Sequence, residues 1–273
     1  MRRGRFGSRP IRAFLVLGFA SATIVAVVAS MASPSTIASP PMDHGHTVTV
    51  DDQGRLLVGH HDGILASTDG GRSWTPLLVG WDVMAAAPGP ADTILVAGHG
   101  FVGSVDRRGS LTRLDEGLTD RDVHALSVDP VNGDVWIATA SGTVLRSDDV
   151  GSTWEVVSAG PIALLATSGE GLVGIAPFEG LVASSDGRSW APLGGLPTSP
   201  VSSLGVAGGS AAIVVTGPDG AWVSHDDGAG WLRVSQDPAL AATFHEAGAA
   251  LLVLGANGTL REVSLPALQP DHA

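Results

Sequence analysis

The chain has 273 residues, with 27 acidic and 15 basic side chains for a formal charge of −12, and it contains no cysteine, tyrosine or lysine. Lack of cysteine excludes disulfides, thiolate metal sites, a thiol nucleophile and a lipoprotein anchor, and lack of lysine excludes Schiff-base chemistry. The acidic balance argues against nucleic acid and anionic lipid as partners.

The first 12 residues carry five arginines and no acid, residues 13–32 form an uncharged apolar run, and 33–43 are rich in Pro and Ser. That is the layout of a signal peptide, or of a signal anchor with its Arg-rich end inside, over residues 1–32, followed by a linker over 33–43. Ser30-Met31-Ala32 offers a small-x-small cleavage site. Either version predicts an extracytoplasmic location, secreted or anchored, with membrane contact confined to this segment. Without its five arginines the charge of −12 becomes −17.

From residue 44 a pattern repeats. Ser-x-Asp-x-Gly-x-Ser/Thr-Trp occurs at 67–74 and 147–154, one residue short at 184–190, and with Gly for Ser/Thr at 224–231. A weaker echo runs through Ser104, Asp106 and Gly109. A period of about 35 to 40 residues signals units that cannot bury their apolar faces alone. Each unit reads as four short strands. In the first, 46–50 alternates, 51–54 turns, 55–59 is apolar, 60–63 turns, 64–67 follows, and Trp74 opens the last strand beyond the repeated motif. Further units start near Met84, His124, Ala163, Ser202 and Ala241, the last without a recognisable motif. Asp62-Gly63, Ser141-Gly142, Glu179-Gly180, Asp219-Gly220 and Asn257-Gly258 fall between second and third strands, where a tight hairpin needs positive φ. The expectation is an all-β fold over 44–265: a six-bladed β-propeller, or seven-bladed with one divergent unit, of four-stranded antiparallel blades, with a tail over 266–273.

The repeated motif has a mechanical reading. Its Asp accepts backbone N–H bonds, its Gly takes a left-handed conformation, and its Trp packs on a neighbouring sheet. Asp69, Asp149, Asp186 and Asp226 are therefore structural. These motifs resemble the Asp-box (BNR) repeats of sialidases, sortilin-type receptors and photosystem II assembly-factor propellers, over residues 44–265. The chain also resembles exported bacterial Asp-box proteins known as glycosyl hydrolase or exo-sialidase-like. The matching elements are His44-Gly45-His46, His60-His61 with Asp62 before Gly63, Gly98-His99, and Val123-His124-Ala125-Leu126. The resemblance implies the fold; the Asp-box serves many unrelated activities.

In an up-and-down meander, the turns between strands two and three share one end of the wheel with the connections between blades. His44, His46, His60, His61, His99 and His124 all fall on that end in the first three repeats, opposite the Asp-box turns. Pairing Val50 with Arg55 sets His46 against Gly59, with His60 one step beyond. Aligning Trp81-Asp82-Val83-Met84 with Arg121-Asp122-Val123-His124 puts Met84 where His46 and His124 stand. Imidazoles plus a thioether suit copper first and zinc second. As plain turn residues, the same histidines would bond to turns and carboxylates.

The family's sialidase chemistry uses a Tyr nucleophile and an arginine triad; there is no tyrosine, and only Arg121 is well placed for a triad. Another glycosidase mechanism needs two carboxylates about 5 to 9.5 Å apart. Asp62, Asp82, Asp122, Glu179 and Asp219 lie on the right end, with Asp122 and Glu179 the catalytic candidates. The preferred expectation is an exported non-catalytic propeller whose His-bearing face binds a transition metal or a protein partner; a glycosyl hydrolase acting on carbohydrate is the alternative.

Overall fold

In a computed structural model, residues 35–207, 212–245 and 248–265 are described. The expected signal segment and the 266–273 tail lie outside the described residues. The described chain forms six four-stranded antiparallel sheets, each a meander in sequence order apart from the last. Blade I comprises Gly45–Val50, Leu56–His60, Gly63–Ser67 and Thr75–Val79. The first strands of blades II to VI are Val83–Pro88, Val123–Val128, Leu164–Thr167, Ser203–Val206 and Ala239–His245. These six first strands surround a central cavity of about 750 Å³. The expected six-bladed propeller is what the chain builds.

Second strands such as Leu56–His60, Ile94–Gly98 and Val135–Thr139 are buried throughout. They lie inside each blade with both faces covered, which is why they read as continuous apolar runs. Among the described residues the buried side chains fall into six clusters, each shared by two adjacent blades. Leu57, Ile64 and Leu78 of blade I, for example, meet Val83, Ile94 and Phe101 of blade II. No blade owns a private core, so stability accrues from neighbour interfaces.

The repeated turn does the mechanical work expected of it. The buried Ser147 Oγ accepts from Gly151 N at 2.7 Å and donates to Asp149 Oδ1 at 2.8 Å. Asp149 also accepts from Thr153 N and Thr153 Oγ1, both at 2.8 Å. Ser67 and Asp69 do the same in blade I, and the hydrogen bonds from Ser73 and Ser67 hold the Asp69 carboxyl down at about 2. The indole N–H of Trp154 donates to Leu114 O, just past the outer strand of blade II, at 2.7 Å. Trp231 donates likewise to Gly195 O, just past the outer strand of blade IV, at 2.8 Å. In the one-residue-short turn Trp190 reaches only Gly187 O of its own turn.

That indole bond also identifies how the ring closes. Trp74 donates to Ala38 O at 2.8 Å, so residues 35–38 occupy the place that an outer strand of the preceding blade takes elsewhere. Ser35–Thr36 indeed pairs antiparallel with Leu260–Ser264, the third strand of blade VI. Residues expected in a linker thus supply the last blade's fourth strand. This explains why the sixth repeat has no motif turn: its third strand does not lead on to a fourth from the same repeat. Ile37 follows the strand into the interface of blades I and VI, beside Val48, Leu56, Leu252 and Leu260.

Candidate metal centre

One register expectation is corrected. Val50 pairs with Leu56, not Arg55, and Thr47 rather than His46 faces Gly59. The pairing then slips by one, because Gly45 faces His60, and His46 is the extra residue of a β-bulge. The same slip falls at Met84, between the Val83 and Ala85 pairs, and at His124, between the Val123 and Ala125 pairs. A bulge kinks its strand and re-aims the side chain it carries. The alignment of Met84 with His46 and His124 therefore holds at the backbone, and all three line the mouth of the central cavity.

Around this mouth the side chains form a continuous arc. His46 Nε2 lies 3.4 Å from His61 Nδ1 and 3.3 Å from Asp82 Oδ1, and His61 Nδ1 lies 3.0 Å from Asp82 Oδ2. Next, His99 places Nε2 3.7 Å from Asp82 Oδ2 and Nδ1 2.7 Å from Asp122 Oδ1. His124 Nε2 completes the arc, 3.1 Å from the same Asp122 oxygen. Two sets result, His46–His61–Asp82 and His99–Asp122–His124, each with three donor atoms within 4.8 Å of one another.

The fold positions each member. His61 and His99 both begin the turn between second and third strands, directly after His60 and Gly98. Asp82 and Asp122 end the connections entering blades II and III. Gly98 admits the first of these connections: a Cβ there would stand 1.8 Å from Asp82 O. The second is tied by Ala140 N donating to Asp122 O at 2.7 Å and by a bridge between His99 and Asp122.

His44 and His60 flank the arc without joining either set. His44 has φ 47° and a ring 5.2 Å from that of His61. His60, 9% exposed, accepts from Asp62 N through Nδ1 at 3.2 Å, so it serves its own hairpin. Burial lowers the His60 pKa, against the pull of Asp62. Burial likewise lowers the pKa of His46, opposed by Asp82 and reinforced by His61, His99 and His44. The lowered pKa favours the neutral imidazole, the state in which histidine is a ligand. Of the expected set, the structure joins His46, His61, His99 and His124; they meet carboxylates, as the plain turn reading also expects, and the particular two, Asp82 and Asp122, are expected from the sequence only among the candidates for hydrolysis. Asp122 is engaged by two imidazoles, and Glu179 sits in the blade IV turn, outside both sets, its N–H on Ala176 O.

Chemically, the first set comes near the spacing of ligands about one ion. Metal–ligand bonds of 2.0 to 2.2 Å put neighbouring tetrahedral donors about 3.3 to 3.6 Å apart; His46 stands 3.3 Å from Asp82 and 3.4 Å from His61, while His61 and Asp82 are closer, at 3.0 Å. Asp82 Oδ1 and His124 Nε2 are fully buried yet have no hydrogen bond of acceptable geometry. A cation would satisfy both; left unmet, such groups are costly.

No protein-family model and no curated protein matches the sequence. Solved structures do match in fold. A gluconolactonase from Xanthomonas campestris superposes with a TM-score of 0.67 at 17% identity, covering 84% of this chain and 87% of the enzyme. YCF48 from Cyanidioschyzon merolae gives 0.62 at 14% identity over 85% and 99% of the two chains. A structure of YCF48 bound to D1 peptide gives 0.58 at 16% identity over 87% and 97%. At these identities the likeness is one of propeller fold alone.

Proposed function

We propose that this chain is an exported, non-catalytic propeller, of the Asp-box type, whose arc of histidines and aspartates binds a transition metal. The observation that carries the proposal is the His46–His61–Asp82 triangle, with its orphaned Asp82 oxygen. Rigid blades hold donors from two strand systems at coordination distance, so binding needs little rearrangement. Two imidazoles and a carboxylate form a borderline nitrogen and oxygen set, which favours zinc over the copper that a thioether donor would suggest. The excess of acidic side chains, 27 against 15 basic, raises the local concentration of cations. Protein purified without a polyhistidine tag should carry zinc by elemental analysis, and His46→Ala or Asp82→Ala should weaken binding at the His46–His61–Asp82 site at least tenfold. Metal-free protein whose melting temperature ignores added zinc would overturn the proposal.

A protein partner at the same face is the second reading. It is favoured by Phe178, 94% exposed in the blade IV turn at the His-bearing end, and it has a parallel in YCF48 bound to D1 peptide. Co-purification lost on Phe178→Ser, with metal content unchanged, would support it.

A further inference from the structure

We propose that the arc is a two-ion site, with His99, Asp122 and His124 forming a second metal centre beside the first. This rests on the metal-binding reading above and concerns the number and arrangement of ions. The equivalences come from strand pairing. His60 pairs with Gly63 and Gly98 with Phe101 across their hairpins, so His61 and His99 hold the same turn position in blades I and II. Asp82 and Asp122 each precede a valine, Val83 or Val123, that pairs just before a bulge, so they too are equivalent. Each centre therefore repeats one unit, a turn histidine with the aspartate of the connection that follows it. The third donor comes from a bulge: His46 of blade I on one side, His124 of blade III on the other. Met84 holds the bulge between them.

Six donors cannot serve one ion. A tetrahedral zinc takes four ligands, and these six donors fall into two sets of three, the donor atoms of each within 4.8 Å of one another. Each set also holds one buried atom without a hydrogen bond, Asp82 Oδ1 in the first and His124 Nε2 in the second. The orphan is the aspartate in one set and the bulge histidine in the other, and an ion in each set would meet it. The centres touch through His99, whose Nδ1 is hydrogen-bonded to Asp122 Oδ1 at 2.7 Å, a contact that an ion held by both would open, while its Nε2 approaches Asp82 Oδ2 at 3.7 Å. Both cations would bear on that imidazole, so the second ion should bind more weakly than the first.

The test is stoichiometric. The full chain, without a polyhistidine tag and stripped by chelator, is titrated with Co²⁺, followed by visible absorption, and with Zn²⁺ by equilibrium dialysis. The expected result is about two equivalents in two affinity steps, about one in His46→Ala, about one in His124→Ala, and none in the double variant. Asp122→Asn, nearly isosteric, should match His124→Ala, and unchanged circular dichroism confirms the fold of each variant. One equivalent lost in His46→Ala but kept in His124→Ala and Asp122→Asn overturns the second centre and leaves the metal-binding reading standing. One equivalent lost in either single variant means one shared ion, and also overturns the inference. No bound metal in the unaltered chain overturns the reading itself.

Discussion

Replacing Ile37 by Ala tests how the ring is held shut. Blade VI borrows its outer strand from residues 35–36, and Ile37 is the first side chain after it to enter the interface between blades I and VI. Its N–H bonds to Leu260 O at 3.1 Å. Its Cγ2 sits so close to Gly71, in the blade I motif turn, that a Cβ on that glycine would lie 1.9 Å from it. Truncating a well-buried Ile to Ala costs about 2 to 5 kcal/mol. Ile37 is only partly buried, which places its cost near the lower end, about 2 kcal/mol. For a domain of this size each kcal/mol lowers the melting temperature by about 2 to 4 °C, so a fall of about 4 to 8 °C is expected. Differential scanning calorimetry is the assay, with Phe178→Ala as a control on an exposed residue. Because residues 35–37 tie the start of the described chain to blade VI, unfolding should also become faster. If Ile37→Ala and Phe178→Ala melt alike, the borrowed strand does not hold the ring and the closure described here is wrong.

Ser147→Ala leaves the Gly151 N–H without its acceptor inside a buried turn, and should cost about 1 to 2 kcal/mol in urea unfolding; an unchanged midpoint would contradict the mechanical role of the motif. The Asp69 pKa is depressed from 3.8 to about 2, so its contribution is present above pH 3.8 and lost as pH falls toward 2. Asp69→Asn should therefore flatten the acid limb of stability over that window, as read by melting temperature against pH. His225 has both ring nitrogens buried without a partner, and burial lowers its pKa against the pull of Asp226. The unfolded chain takes up that proton first as pH falls below 6.5, so stability is lost on that side. His225→Leu should stabilise by about 1 kcal/mol near pH 7, with the advantage growing at lower pH; a destabilised variant would show that the ring has an unrecognised partner. Gly98→Ala should displace the connection that carries Asp82 and weaken zinc binding at least tenfold, and unaltered affinity would count against the proposed first centre.

The blades were legible because the repeated turn spells out its own hydrogen bonds: Ser, Asp, Gly and Trp each have one structural task, and spacing alone locates it. The end of the wheel on which His46, His61, His99 and His124 gather followed from meander geometry. Their partners did not. Asp82 and Asp122 look like ordinary acids in connections, and only the alignment of residues 81–84 with 121–124, applied to the aspartates as well as to Met84, would have paired them with the imidazoles. The exact register was hidden because a bulge adds a residue without altering the alternating pattern around it, so alternation alone sets His46 rather than Thr47 against Gly59. The borrowed strand was hidden for another reason: a Ser-Thr pair within a Pro/Ser-rich stretch has no period, and its strand character comes wholly from the edge of blade VI.

Anomalous diffraction at the zinc absorption edge, from crystals of the tag-free protein grown with zinc, tests the central claim most directly. The expected result is a peak about 2.0 to 2.2 Å from His46 Nε2, His61 Nδ1 and an Asp82 oxygen. No peak at the mouth of the cavity, with direct hydrogen bonds among these three side chains in its place, would contradict a metal centre.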